Sequence, residues 1–427
     1  MKKIKFLAFA AVIAAMFFSC SSDPYGVDPV SEKDGGIQKQ TIVSDYSNVG
    51  SQGVLVVQEG NMTTENGFLS FIDRENPCTY YSIVGGSRFG NVAQDLYIHD
   101  GKIYVVCQNV QKGSRPGSVY ILNNTDFTPA VSAPVTTPIS GVTNPTHIAV
   151  YDANTVFVRG SGTNYDGTGS GFGIYRFNPN SSTAAERLDD GDKVVAPTTM
   201  ALVGKYLYVC YNDGLRVYDA TSTGKTPIGK VGTTAFQCVV KNTAGTKVYA
   251  YSSRNIYEIT PVDNASAITL SPLIGTTTGS ISTFSNSAQL SYYNNKLYYV
   301  SGSRIRSFDL STGQNQDIAP VYTADNPSEV VGSVIYNGVA VDPGTGFLYQ
   351  ATTVYGNDKN GVNYSNRSAL NVYDVNNNMA HKYSYLNDER FTGGIFFPQN
   401  FGCTTVGTST FDYVQTLPPY DPNQFYN

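Results

Sequence analysis

Val92-Ala93-Gln94-Asp95-Leu96-Tyr97-Ile98, then Asp100-Gly101-Lys102, then Ile103-Tyr104-Val105-Val106, then Gly117-Ser118-Val119-Tyr120-Ile121-Leu122 read as three successive β-strands. Apolar and aromatic side chains recur at every second position, the period of a strand with one face buried. Asp-Gly supplies the tight hairpin between the first two. The aromatic-centred second strand recurs as Val156-Phe157-Val158, Leu207-Tyr208-Val209, Val248-Tyr249-Ala250, Leu297-Tyr298-Tyr299 and Leu348-Tyr349-Gln350, with Val54-Leu55-Val56-Val57 as its first copy. The aligned positions 55, 104, 157, 208, 249, 298 and 349 are spaced 41 to 53 residues apart. A repeat of that length holding about four strands is the mark of a β-propeller.

A second motif repeats in step. Phe68-Leu69-Ser70-Phe71-Ile72-Asp73, Leu215-Arg216-Val217-Tyr218-Asp219, Ile305-Arg306-Ser307-Phe308-Asp309 and Leu370-Asn371-Val372-Tyr373-Asp374 alternate and end in Asp. That Asp suits a turn, where its carboxylate accepts local backbone N–H bonds. The first unit begins at its second strand, whereas Thr392-Gly393-Gly394-Ile395-Phe396-Phe397 is an apolar strand with no unit of its own. Pairing the two completes the first blade and removes exposed edges. The expected fold is therefore all-β: a seven-bladed β-propeller over residues 51–400, closed by pairing of N- and C-terminal strands, with 401–427 as a C-terminal tail.

Residues 1–19 read as a signal peptide. Lys2, Lys3 and Lys5 precede the apolar run from Phe6 to Phe18, too short to span a bilayer as a mature helix. Phe17-Phe18-Ser19-Cys20 resembles a bacterial lipobox, with Cys20 as the lipidation site and Phe17 in place of the usual Leu; the alternative is an ordinary secretory signal with an incidental Cys. Residues 20–50 read as the lipidated Cys and a flexible tether. The expected location is the outer membrane, lipid-anchored, on the cell surface more than the periplasmic face, with the lipid as the only membrane contact. The chain has 28 Lys and Arg against 33 Asp and Glu, without a polybasic run, which argues against nucleic acid as a partner. Cys107, Cys210 and Cys238 fall inside apolar runs and read as small hydrophobes. Cys78 and Cys403 flank the closure, and a disulfide between them is an open alternative.

The connections between second and third strands emerge on one end of the ring and are unequal. They are long at Gln58–Gly67, Gln108–Gly117, Arg159–Gly171 and Thr352–Ser368, and tight elsewhere, as in Tyr211-Asn212-Asp213-Gly214. In a closed ring the seventh blade neighbours the first, so the four long connections are contiguous. Long connections on a rigid scaffold carry recognition. The ligand-binding candidates on that end are Arg88, Asn91, Gln94, Asp95, Arg115, His147, Arg159, Tyr165, Tyr211, Tyr355 and Tyr364. Tyr combines an apolar face with a hydroxyl, and Arg a planar fork for carboxylate, phosphate or amide. Gln94 and Asp95 have a competing structural reading, as partners of backbone groups where an inner strand begins. No G-x-S-x-G, H-E-x-x-H or P-loop is present, and His99, His147 and His381 lack metal-ligand spacing. No cofactor, no metal and no enzymatic activity are expected. A hydrolase or lyase assembled from distant blades, and a module that docks on an outer-membrane protein, stay open beside ligand capture.

Gly90-Asn91-Val92-Ala93-Gln94-Asp95-Leu96-Tyr97-Ile98 with Gly101-Lys102-Ile103-Tyr104-Val105-Val106, and Glu59-Gly60-Asn61 with Gly67-Phe68-Leu69-Ser70-Phe71, resemble the YncE-like (YVTN-type) propellers found among Bacteroidota lipoproteins. The resemblance spans residues 53 to 398 and is crisp in the first two units. It implies a seven-bladed fold and a binding role at the cell envelope. The group includes BtuG-type surface lipoproteins that capture cobalamin beside a TonB-dependent transporter. By that resemblance the expected partners are a small-molecule or glycan ligand, a corrinoid among them, and such a transporter.

Overall fold

Each strand of this chain sends its side chains to two different destinations. Val54 and Val56 pack in one buried cluster with Tyr349, Ala351, Leu370 and Val372. Leu55 and Val57, on the other face of the same strand, pack with Leu96, Ile103 and Val105. That division follows from alternation along a strand whose sheet is covered on both faces.

The computed structural model describes residues 53–59, 67–73, 79–83, 90–109, 117–124, 136–163, 169–188, 199–261, 273–281, 283–284, 287–288, 290–302, 304–320, 333–354, 367–388, 392–402 and 413–416. Among them the main strands form seven antiparallel sheets, the blades of a propeller. Blade 2 is Asn91–His99, Lys102–Asn109, Ser118–Asn123 and Thr136–Pro138, from the axis outwards. Blade 3 begins with Thr143–Asp152 and Thr155–Thr163, blade 4 with Met200–Val203 and Tyr206–Tyr211, and blade 5 with Cys238–Lys241 and Val248–Ser252. Blade 6 begins with Ser291–Tyr293 and Lys296–Ser301, and blade 7 with Ser333–Val341 and Phe347–Val354.

Blade 1 closes the ring as its strand pattern predicts. Its inner strand is Thr392–Phe396 and its second is Gly53–Gln58, with Ile395 opposite Val56 and Phe396 opposite Leu55. The buried clusters show closure independently. One lies between each successive pair of blades, and the last joins blade 7 to blade 1. The tail adds something the repeat does not signal. Tyr413–Thr416 pairs antiparallel with Thr79–Ile83 and becomes a fifth strand on the outer edge of blade 1.

The third strands end as their Asp residues suggest. Asp309 Oδ1 accepts the backbone N–H groups of Ser311 at 2.9 Å and Thr312 at 3.1 Å. Asp219 does the same for Thr221 at 2.9 Å and Asp374 for Asn376 at 3.0 Å. Cys107, Cys210 and Cys238 are free and buried in interblade cores. Cys20, Cys78 and Cys403 lie outside the described residues.

Two of the long connections are shorter than expected. Ser161 pairs with Phe172 and Thr163 with Gly169, so the hairpin of blade 3 continues well past Arg159. In blade 7, Thr352, Thr353 and Val354 pair with Ala369, Ser368 and Arg367. These Gly-, Ser- and Thr-rich segments lack the apolar alternation that marks a strand, so they read as loop; the backbone ladder continues without it.

Candidate functional site at the mouth of the ring

One end of the ring, here the mouth, is where inner strands begin and where second strands hand over to third strands. Its construction differs around the circle. The inner strands of blades 2, 3 and 7 are 9, 10 and 9 residues long. Those of blades 4, 5 and 6 are 4, 4 and 3. The longer strands are also bulged against their neighbours, between Ala93 and Asp95, Thr143 and His147, and Ile335 and Val339, as is blade 1 between Val57 and Gln58. Blades 4 to 6 run without a shift at this pairing. Blades 7, 1, 2 and 3 are contiguous, and they are the four with long connections.

A bulge inserts a residue, bends the strand and re-aims side chains. Asn144 (φ 45°) sits at one of these irregularities, and Val92 (φ 55°) just before another, both in the left-handed region. For a β-branched Val that conformation costs on the order of 1–3 kcal/mol, held in place by the surrounding fold.

The bulges gather buried polar groups at the mouth. Gln94 Nε2 on blade 2 donates to Glu59 Oε1 on blade 1 at 2.6 Å, both side chains being buried. Asp95 joins blade 2 to blade 3: its Oδ2 accepts the Ile148 N–H at 3.0 Å and lies 3.2 Å from His147 Nδ1, while its Oδ1 accepts its neighbour Leu96 N–H at 2.8 Å. An ionised carboxylate only accepts, so Nδ1 of His147 carries the hydrogen. Arg159 donates through Nη1 to Thr146 Oγ1 at 2.7 Å, on the strand beside it. Its guanidinium is 0% exposed, and burial lowers its pKa to about 10. On blade 7, Asn371 Nδ2 donates to Gln350 Oε1 at 3.1 Å, both buried. Such networks hold the geometry of a mouth because each buried polar group needs its partner.

The candidates therefore separate. Gln94, Asp95, His147 and Arg159 come together on blades 2 and 3, where they are hydrogen-bonded within the fold. Asp95 accepts backbone N–H groups, as its structural reading has it, whereas Gln94 bonds the Glu59 side chain on the neighbouring blade. Tyr211, on blade 4, is 0% exposed; its hydroxyl lies 2.7 Å from that of Tyr218 and its ring 4.0 Å from the Arg216 guanidinium. It packs in the core between blades 3 and 4. Asn91 opens the inner strand of blade 2 opposite Asn109. Arg88, Arg115, Tyr165, Tyr355 and Tyr364 lie outside the described residues. Glu59 and Thr146 are members of the network that composition and spacing did not single out. Glu59 sits in a stretch that carries the family resemblance, and Thr146 has no comparable local signal. Among the described residues no group of three His, Cys, Asp or Glu could hold a metal ion.

A family model described as "Domain of unknown function (DUF5074)" matches residues 52–401. No curated protein matches the chain. Among solved structures it is similar to a functionally unknown protein from Desulfotomaculum acetoxidans, at 14% identity and TM-score 0.49, covering 81% of this chain and 98% of that one. A periplasmic gluconolactonase, PpgL, from Pseudomonas aeruginosa gives 11% identity and TM-score 0.47, with 86% and 99% covered. The propeller domain of Cps50 (Swd1) from Myceliophteria thermophila gives 11% and 0.47, with 79% and 99% covered. All three scores lie below 0.5, so the architecture rests on the strand pairing and the interblade cores.

Proposed function

The chain belongs to the family described as a domain of unknown function (DUF5074), and we propose that it is a non-enzymatic cell-envelope lipoprotein that binds a ligand at the mouth of its propeller. The reading extends to nutrient capture, of a corrinoid or a glycan, beside a TonB-dependent transporter.

The asymmetry of the mouth carries this proposal. A purely structural wheel does not need bulges on one side, yet blades 7, 1, 2 and 3 all carry a register shift between inner and second strand, and blades 7, 2 and 3 have long inner strands, whereas blades 4 to 6 have neither. Irregular backbone with hydrogen-bonded polar pairs beneath it suits a preorganised receptor surface. The lipobox-like Cys20 and the polar tether support a place at the envelope, and the likeness to YncE-like propellers supports the ligand class.

Titration calorimetry of the full mature domain with cobalamin, haem and a glycan panel is the test. One of these ligands is expected to bind, and replacing residues 110–116 by the tight Asn-Asp-Gly turn of blade 4 should weaken that binding at least tenfold without lowering the thermal midpoint. Absence of heat with every ligand, or undiminished affinity after the replacement, would overturn the reading.

A further inference from the structure

The end of the ring opposite the mouth brings the Lys241 ammonium to the axis. Lys241 closes the inner strand of blade 5, yet its ammonium reaches the Leu202 carbonyl on the inner strand of blade 4 at 3.4 Å. It also lies 6.0 Å from the ring centroid of Tyr97 on blade 2 and 6.0 Å from that of Phe401. Phe401 ends the short 3-10 turn Pro398–Phe401 that follows the inner strand of blade 1. Elements of blades 1, 2, 4 and 5 converge only at the axis. Tyr97 and Phe401 meet there edge to face, with centroids 4.9 Å apart.

The charge on Lys241 is poorly compensated. The carbonyl contact is long, and both rings stand at the outer limit of cation–π attraction. Among the described residues no carboxylate pairs with it. Burial alone depresses its pKa, with no neighbouring charge opposing that shift. Beside it, burial pushes the Tyr97 phenol up to about 12, so its hydroxyl stays a neutral donor. A partly desolvated ammonium with no counter-charge among the described residues is costly, and a bound anion offsets that cost.

We propose that the end of the axis opposite the mouth is an anion site, in which the Lys241 ammonium seats a small carboxylate or phosphate group. This site is separate from the mouth and stands whether or not the mouth binds a nutrient.

Thermal unfolding of the mature domain in salt-poor buffer, titrated with inorganic phosphate or with acetate, tests it against Lys241→Met, which keeps the apolar stem. For the native chain, an anion at ten times its dissociation constant should raise the midpoint by about 2 °C or more. Lys241→Met should lack that rise and, without added anion, melt no lower than the native chain. A response to phosphate alone assigns a phosphate group, to acetate alone a carboxylate, and to both a general oxyanion seat. An equal response in the variant would reveal only the general stabilisation by excluded salts and defeat the proposal, as would a lower midpoint of the variant in anion-free buffer. Should the variant not fold, acylation of Lys241 in the native chain, followed by peptide mass spectrometry, decides. Phosphate or acetate should slow labelling of Lys241 severalfold and leave the exposed Lys225 unchanged; equal rates with and without both anions would refute the site.

Discussion

Gly393 shows how one position can serve both closure and the mouth. A Cβ there would stand 2.4 Å from the Ala93 carbonyl oxygen and 3.1 Å from Glu59 Cγ. The first is backbone of the neighbouring inner strand and cannot swing aside. Gly393→Ala should therefore cost about 1–3 kcal/mol through overpacking, and should push Glu59 off Gln94. Differential scanning calorimetry checks the first effect; a midpoint indistinguishable from the native one would show that the two strands can separate freely. In the sequence, Gly393 reads only as one residue of the closing strand Thr392–Phe397. Its constraint comes from Ala93, 300 positions away, and nothing local encodes it.

The third strands behave as units with a built-in terminus. Burial alone would raise the Asp309 pKa, but hydrogen bonds from Thr312 and Ser311 outweigh it, and the carboxyl is held below its usual value. Asp219 is lowered in the same way, against burial, by its bonds from Thr221. A carboxyl whose folded pKa is depressed contributes stability above the ordinary value of about 3.9 and loses it as pH falls through the folded value. Asp309→Asn should thus melt below the native chain at pH 7, and the gap should shrink steadily below about pH 4. Thermal melts at several pH values between 7 and 2.5 test this; a gap independent of pH would mean that the charged acceptor contributes nothing. These turns were legible in advance, because an Asp bonding two residues ahead is a local event. The bulged inner strands were not, since a bulge answers to the partner strand.

Ring closure concentrates in the last described segments. Truncation before Thr392 removes the inner strand of blade 1, and with it the packing of Ile395, Phe396 and Phe397 against blades 7 and 2. That protein should lose its single cooperative transition and become protease-sensitive. Truncation after Gly402 keeps the inner strand but uncovers Thr79–Ile83, which Tyr413–Thr416 otherwise pairs. It should still melt cooperatively, yet form higher-order species, because an unpaired edge templates association. Scanning calorimetry with size-exclusion chromatography separates the two outcomes; a monodisperse second truncation would show that the tail strand is not needed to cover the edge. The ring also decides which candidates meet solvent: Arg159 and Tyr211 read as loop contacts, but closure places both inside the wall between blades 3 and 4.

Strand alternation, the spacing of its aromatic centres and the orphan segment at Thr392–Phe397 were enough to determine the blade number and the closing pair. Each is a local pattern or a count of local patterns, and neighbouring residues suffice to specify it. The Asp95–His147 and Gln94–Glu59 pairs, the burial of Arg159, the tail strand on blade 1 and the Lys241 ammonium at the axis required the folded ring. Those contacts join residues of different blades, tens to hundreds of positions apart, and their geometry exists only once the sheets pack around one axis.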